Sequence, residues 1–354
     1  MAPSPPTPSR RRRAVVWTLK LALLALAVWL VLRLLAGLEW ADVAARLAAA
    51  EPGWLVAAVA ALVLRMVIWD ERWRQAIRRA GALPPRWVSF GALVAAAAVN
   101  SVTPTVRVVG GVLRGRWIGR AVGVSLGRSY GSVLYDQVAH QVVTGSVTVI
   151  AVIGAALVSG RVRLGLGLAA AAAVAAVAIA LWLRRRRGRR RELLRAFAER
   201  LVGRATSGGR LGRLVLHGRD AIDVVVTLLG DAGLHGRAVV LGIAFFVVNA
   251  GAQWMVFVAL GEPASFWVVL AVVALGAAAG ILVGTPGGLG AAEAAMIAGF
   301  TALGVDRLDA TAASLLFRAL HFAVVLGLGL PSLAWLELGP PARRAAARAP
   351  EDAP

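Results

Sequence analysis

Six apolar stretches, each near or above the roughly 20 residues that a helix needs to cross about 30 Å of hydrocarbon, recur along this chain between arginine-rich connections. They run from Ala14 to about Ala36, Gly53 to about Trp69, roughly Tyr130 to Val158, Leu164 to Leu183, Ala238 to Leu260 and Thr311 to about Trp335. With 59% apolar and 16% charged residues and a mean hydropathy of +0.75, an ordinary soluble domain is excluded, since charged residues make up nearer a quarter of such a chain. The sequence predicts an all-α polytopic membrane protein.

The charge is distributed as topology requires. There are 39 Lys+Arg against 18 Asp+Glu, a net +21, and the excess lies between the apolar runs, where it marks cytoplasmic loops. Nucleic-acid binding, the other use of a basic chain, would need aromatic residues interleaved with the basic ones, and they are not. The absence of cysteine excludes disulfides, thiol chemistry and thiolate metal sites. Arg10 to Arg13 precede a first apolar run longer than a signal-peptide core and without a cleavage site behind it, so it should remain as a span. Residues 1–13 read as a disordered basic tail, 14–337 as one transmembrane domain and 338–354 as a second disordered basic tail. Both termini are expected in the cytoplasm of a bacterial cell.

Between Leu38 and Glu51, Trp40, Val43 and Leu47 recur at helical spacing and predict a short interfacial helix. The second span ends in Asp70, Glu71, Arg72, Trp73, Arg74, Arg78 and Arg79, read as a basic face with interfacial Trp residues. From Arg184 to Arg237 there are 14 Arg against 5 acidic residues. Leu193, Leu194, Phe197 and Leu201 share a face there, which predicts a basic amphipathic segment on the cytoplasmic leaflet.

Two apolar segments are broken in the middle. Trp87 to Val99 leads into Asn100-Ser-Val-Thr-Pro104, and the return arm carries Arg107, Gly110, Gly111, Arg114, Arg116 and Arg120. Each Arg costs at least about 2.5 kcal/mol against lipid tails, so this arm must face protein or water. Ser265 to Val283 meets Gly284-Thr-Pro-Gly-Gly-Leu-Gly290, followed by an arm from Ala291 to Leu303 that is too short to cross. The pattern predicts about six full transmembrane helices plus two oppositely oriented re-entrant helical hairpins, the first entering from the cytoplasm and the second from outside. Span, hairpin and span over Gly53 to Val158 then recur over Ala238 to Trp335 with opposite topology, an inverted repeat of the kind secondary transporters use. The alternative is that Gly and Pro kink ordinary spans, giving ten crossings.

Asn100 to Pro104 with Arg107, Gly110 and Arg114, and Gly284 to Gly290 with Glu293, Gly304-Val305 and Arg318, resemble the flippase-like transmembrane region of the lysylphosphatidylglycerol synthases. Trp69, Arg72, Trp73 and Arg74 resemble that family's basic, Trp-containing end to an early span. The resemblance covers roughly residues 15 to 337. This chain departs from the family pattern in Gly110-Gly111, where Gly-Glu is common, and in Tyr135, Asp136, Gln137 and His140, where an acidic-Arg pair with a later Asp is common. The resemblance implies a membrane module that moves or binds lipids. The length after Leu338 leaves no room for the synthases' aminoacyltransferase domain, which argues against that reaction and leaves open a separate partner enzyme.

Ionisable residues inside apolar helices default to a functional reading. Asp136 with His140, and Arg318 with His321, each share a helix face, and Glu293 stands beside the second break. A headgroup leaving water needs counter-charges and backbone donors. Arg107 and Arg114 could grip a phosphate, and Gly287, Gly288 and Gly290 leave N–H groups free at a helix start. The expected headgroup site is therefore Arg107, Arg114, Asp136, His140, Gly287, Gly288, Gly290, Glu293, Arg318 and His321, with no cofactor or metal and with phospholipids as partners. Bland readings stand beside it: Glu293 could only complement a helix dipole or pair with Arg318, His140 could be a satisfied core residue, and Asn249 and Gln253 could be interhelical glue. Lipid translocation is the leading expectation. A membrane-embedded transferase using Asp136 and His140 and a lipid-binding scaffold are the alternatives.

Overall fold

The computed structural model describes residues 40–103, 108–160, 163, 167, 170, 210–262, 264–283 and 288–339. The spans expected over 14–36 and 164–183, the basic stretch 184–209 and the tail beyond 339 lie outside them. Ten α-helices make up the described fold, with no strand among these residues: α1 Trp40–Ala48, α2 Pro52–Arg79, α3 Arg86–Val102, α4 Val108–Val122, α5 Leu126–Val158, α6 Arg210–Leu228, α7 Ala232–Ala259, α8 Phe266–Val283, α9 Ala291–Ala302 and α10 Arg307–Leu338. Four of them, α2, α5, α7 and α10, are long and apolar enough to cross a membrane.

Local chemistry sets the helix ends. Pro52 opens α2, where its missing N–H costs nothing. Ser125 Oγ accepts from the Arg128 N–H at the start of α5, Asp231 from the Leu234 N–H at the start of α7, and Asp306 from the Leu308 N–H at the start of α10. The Asp231 carboxyl is held below the usual carboxylate range, first by this backbone bond and then by the charge of Arg79.

Two boundaries differ most from the sequence reading, and both for the same reason. The second span does not end at an interface after Trp69; α2 continues to Arg79, and Asp70, Arg72, Trp73 and Arg74 are buried. Their partners lie inside the bundle. Ser89 of α3 accepts from Arg74 and donates to Asp70, while Asp136 of α5 accepts from Arg72. Likewise α7 begins at Ala232 rather than Ala238, because the Asp231 cap and its ion pair with Arg79, at 3.0 Å, anchor the extra turn to α2.

The helices form two units of five, α1–α5 and α6–α10, packed in the same pattern. Helices α2 and α7 have 28 residues each and pair centrally with each other. They run antiparallel: the Glu51 N–H at the start of α2 donates to the Ala259 carbonyl at the end of α7, and Arg79 at the end of α2 meets Asp231 at the start of α7. Each other substantial pairing among the described residues has a counterpart when the units are exchanged. Helix α3 packs on α10 as α8 packs on α5, and α1 on α10 as α6 on α5. Within units, α3 lies on α4 as α8 on α9, and α4 on α5 as α9 on α10.

The arms of α3 and α4 fold back on one another, as do those of α8 and α9. Trp87 and Trp117, at the outer ends of the first pair, both meet the end of α10, through Trp335 and Glu337. The second pair closes along small residues, with Gly299 against Val272, Gly276 against Met296 and Gly280 against Gly288. Its outer end lies by the end of α5, where Trp267 fills the space over Gly154. The two pairs therefore enter the bundle from opposite ends.

Candidate functional site

Where the inner ends of the two pairs converge there is a cavity of about 200 Å³. Ala97, Asn100, Ser101 and Thr103 line it from the first pair, and Gly276, Gly280, Gly288, Ala292 and Met296 from the second. The long helices supply the chemistry: Arg65 and Trp69 from α2, His140 from α5, Asn249 from α7, and Arg318 with His321 from α10. Asn100 also ties the first pair together, since its Oδ1 accepts from the Gly110 N–H at 3.0 Å. A side chain at Gly110 would collide with that amide and with the Ala96 carbonyl, which accounts for a glycine here.

Arg65 is 5% exposed in the middle of α2. Its Nη1 donates to Asn249 Oδ1 at 2.6 Å, and its Nη2 donates to His321 Nδ1 at 3.1 Å. Its guanidinium also lies over the Phe245 ring, 5.4 Å from the centroid. Thus a residue of α2 is positioned by α7 and α10 together. Elsewhere on the lining, Arg318 Nε donates to Glu293 Oε1 in the first turn of α9, so the second pair is tied to α10 by charge. The Arg318 guanidinium rests on Phe322.

Beside the cavity lies a second network centred on Asp136, which is 2% exposed. Its Oδ1 accepts from Arg72 Nε at 2.9 Å, and its Oδ2 from Trp69 Nε1 at 3.0 Å and Arg114 Nη2 at 3.3 Å. Arg72 also donates through Nη1 to His140 Nδ1 at 3.2 Å. Arg114 stacks on Trp73 with its Cζ 3.9 Å from the ring centroid, a contact that holds a guanidinium well where water is excluded. Three donors satisfy one carboxylate here, which is the condition for retaining a buried charge. Among the described residues, the two networks bring together the guanidinium groups of Arg65, Arg72, Arg114 and Arg318 and the carboxylates of Asp136 and Glu293.

Of the residues expected from the sequence, His140, Gly288, Arg318 and His321 line the cavity. Asp136 and Arg114 stand one layer back, and Glu293 reaches the cavity only through Arg318. Gly290 caps α9 at φ 81°. Gly288 also has positive φ, but the close approach it permits is to Gly280 of the neighbouring arm. Arg107 and Gly287 lie outside the described residues. Asn249 faces the cavity, whereas Gln253 donates to the Ala313 carbonyl and joins α7 to α10. Among the described residues no three His, Asp or Glu side chains gather as a metal would require.

Arg65 was missed, and so was the inward turn of Arg72. The signal was present. Arg65, Trp69, Arg72 and Trp73 recur at helical spacing, so an Arg inside the second apolar run shares a face with the aromatic and basic residues that follow it.

No curated protein matches this chain. Residues 17–329, however, match the family described as Lysylphosphatidylglycerol synthase TM region, and with its four long apolar helices the chain is a multi-pass membrane protein that belongs to that family.

Proposed function

We propose that this protein moves a lipid, or a lipid-linked intermediate, between membrane leaflets by holding its anionic or zwitterionic headgroup in the central cavity. The observation that carries this reading is the pair of arginines, Arg65 and Arg318, on the lining of a cavity inside the bundle. Arg65 and Arg318 line the cavity in the interior of the bundle, and Arg72, Arg114 and Asp136 stand in a network beside it, where a charge is kept only with polar partners. A phosphate would accept from the guanidinium groups of Arg65 and Arg318, whose donors suit its oxygens. The rings of Trp69, Phe245 and Phe317 and the polar groups of Asn100, Ser101, Thr103 and Asn249 share the rest of the lining.

In this reading α3–α4 and α8–α9 are re-entrant hairpins from the cytoplasmic and outer faces, and the two units form an inverted repeat about an axis in the membrane plane. Support comes from the antiparallel α2 and α7 and from the matched pairings. Such a repeat allows one unit to take the arrangement of the other, which exposes the same site alternately to each face. Both termini and residues 184–237 are then cytoplasmic. Because the chain lacks cysteine, Ser207→Cys in intact cells should resist an impermeant maleimide; labelling would overturn this orientation.

Reconstitution in vesicles with a panel of labelled lipids tests the function. Translocation of at least one phospholipid is expected, with loss in Arg65→Gln while the protein stays inserted and folded. Wild-type rates in Arg65→Gln would remove the cavity from the lipid path.

A further inference from the structure

A groove of about 540 Å³ lies between α2 and α7, with no described lining residue in common with the central cavity. Glu71 and Gln75 of α2 and Gly233, Gly236, Arg237 and Val240 of α7 form its sides. A polar chain joins the two helices here. Gln75 Nε2 donates to Glu71 Oε1 at 2.5 Å, and Arg237 Nη1 donates to Gln75 Oε1 at 3.4 Å. Arg86 Nη2 of α3 donates to Glu71 Oε2 at 3.3 Å. One amide therefore stands between a carboxylate and a guanidinium. Arg79 is held by Asp231 and Arg86 by Glu71, whereas among the described residues Arg237 has no carboxylate partner.

The groove is open to the surroundings of the bundle. Val240 is 66% exposed, and a Cβ added at Gly236 would meet nothing within 4 Å. Neither Gly233 nor Gly236 has positive φ, so the backbone does not call for glycine, which weakens a helix relative to alanine. Depth shows what adjoins the groove. The Glu51 N–H bond to the Ala259 carbonyl sets the start of α2 level with the end of α7, and Trp54 and Trp254, in contact there, mark one membrane interface. At 1.5 Å per residue, Glu71 stands about 28 Å along α2 from Pro52, and Arg237 about 33 Å along α7 from Ala259. Hydrocarbon of about 30 Å ends at that level. Carboxylate and guanidinium are thus placed among lipid headgroups. The exposed Leu64 and Val67 of α2, and Val240, Ile243 and Val247 of α7, continue the same helix faces into the hydrocarbon.

We propose that this groove binds one membrane phospholipid whose head carries a primary ammonium beside its phosphate, as an ethanolamine head does. The phosphate accepts from Arg237, and the ammonium donates to Glu71, whose side chain is 31% exposed. In such a head a short spacer separates phosphate from nitrogen, as the single amide of Gln75 separates Arg237 from Glu71. Each pole of the zwitterion meets its opposite. A glycerol head would bring an uncompensated negative charge near Glu71, and a choline head has no N–H to donate. The acyl chains lie along the exposed apolar faces below. The bound lipid clasps α2 to α7 at the end opposite the bond between Glu51 and Ala259. This site is separate from the central cavity and does not depend on what enters there.

Native mass spectrometry of the purified protein tests this, from micelles holding equal amounts of phosphatidylethanolamine, phosphatidylcholine and phosphatidylglycerol with matched chains. One phosphatidylethanolamine should stay bound in about fivefold excess over either competitor. Lipids held elsewhere on the protein, the cavity included, remain in variants of the groove, so the reading is the one adduct that each variant loses. Glu71→Gln should abolish the preference for that adduct, and Arg237→Gln should lower its retention about fivefold. Gly236→Trp, whose side chain enters open space, should expel it. Arg86→Gln breaks the same bridge to Glu71 but leaves the carboxylate, and should keep the preference. Equal retention of the three lipids by the wild type, or a preference for phosphatidylglycerol, would overturn the ethanolamine assignment. Wild-type retention in both Glu71→Gln and Gly236→Trp would overturn the groove as the site. Loss of the preference in Arg86→Gln would overturn the contact between ammonium and Glu71.

Discussion

The two five-helix units share a packing pattern and differ in what fills it. Helix α2 buries Arg65, Asp70, Arg72 and Arg74, whereas α7 at the corresponding positions buries no charge, only Asn249 and Gln253 among its polar residues. Where Arg65 meets Asn249 and His321, its positional counterpart Phe245 meets Trp69 and His140, at ring distances of 6.0 and 5.4 Å. Asp136 of α5 likewise corresponds to Phe317 of α10. The same contacts are made once by charge and once by aromatic packing. Aromatic packing suffices at these positions of the second unit, where the first unit uses charge.

The widest gap between the units is expected at the Asp136 and Phe317 positions. Asp136→Leu leaves Arg72 and Arg114 buried without their carboxylate and should cost about 3–5 kcal/mol in denaturant unfolding in micelles. Phe317→Leu keeps an apolar side chain and should cost under about 1.5 kcal/mol. Equal losses would break the comparison.

The one ion pair buried in the second unit should behave as a unit. Glu293→Gln alone strands Arg318 and should cost about 3 kcal/mol, while the double variant with Arg318→Met should recover much of it. A coupling energy above about 1 kcal/mol in the double-mutant cycle is expected. Additive losses would show that the pair contributes nothing jointly.

A smaller contrast separates the two helix pairs. At Gly110 an added methyl would lie 2.6 Å from the Ala96 carbonyl oxygen, which is backbone, whereas at Gly276 the nearest atom is Cγ of the flexible Met296, at 2.7 Å. Gly110→Ala should cost about 1–3 kcal/mol by overpacking and Gly276→Ala under about 1 kcal/mol, read from thermal unfolding. The least effect is expected at Arg86, whose bridge to Glu71 at 3.3 Å is solvent-exposed. Arg86→Gln should change stability by less than about 0.5 kcal/mol, which sharpens the contrast with Arg72, the buried neighbour of Glu71 on α2.

Helix positions were largely legible in the sequence because apolar run length and breakers act locally. The runs through Asp136 and Arg318 fall within helices, and the interruption at Asn100 falls in the last turn of α3. Burial of charge was not legible in the same way. Asp70 to Arg74 have the composition of a membrane-surface segment, and only Ser89, Asp136 and His140, brought in by α3 and α5, draw them inward. Arg65 shows the limit most clearly. Its partners Asn249 and His321 lie 184 and 256 positions along the chain, a separation that no local pattern reports.

The exchange of packing partners between units also fixes an order of assembly. Helix α3 finds its main support on α10, where Gly329 closes against Val94 and Ala98. About 200 residues separate the end of α3 at Val102 from the start of α10 at Arg307. At 5–20 residues per second of synthesis, that is a wait of roughly 10–40 s. During this interval the face of α3 around Val94 and Ala98 has no final neighbour, and a chain halted before Arg307 leaves it uncovered. The last of the ten described helices to be made is the one that completes the packing of the first unit.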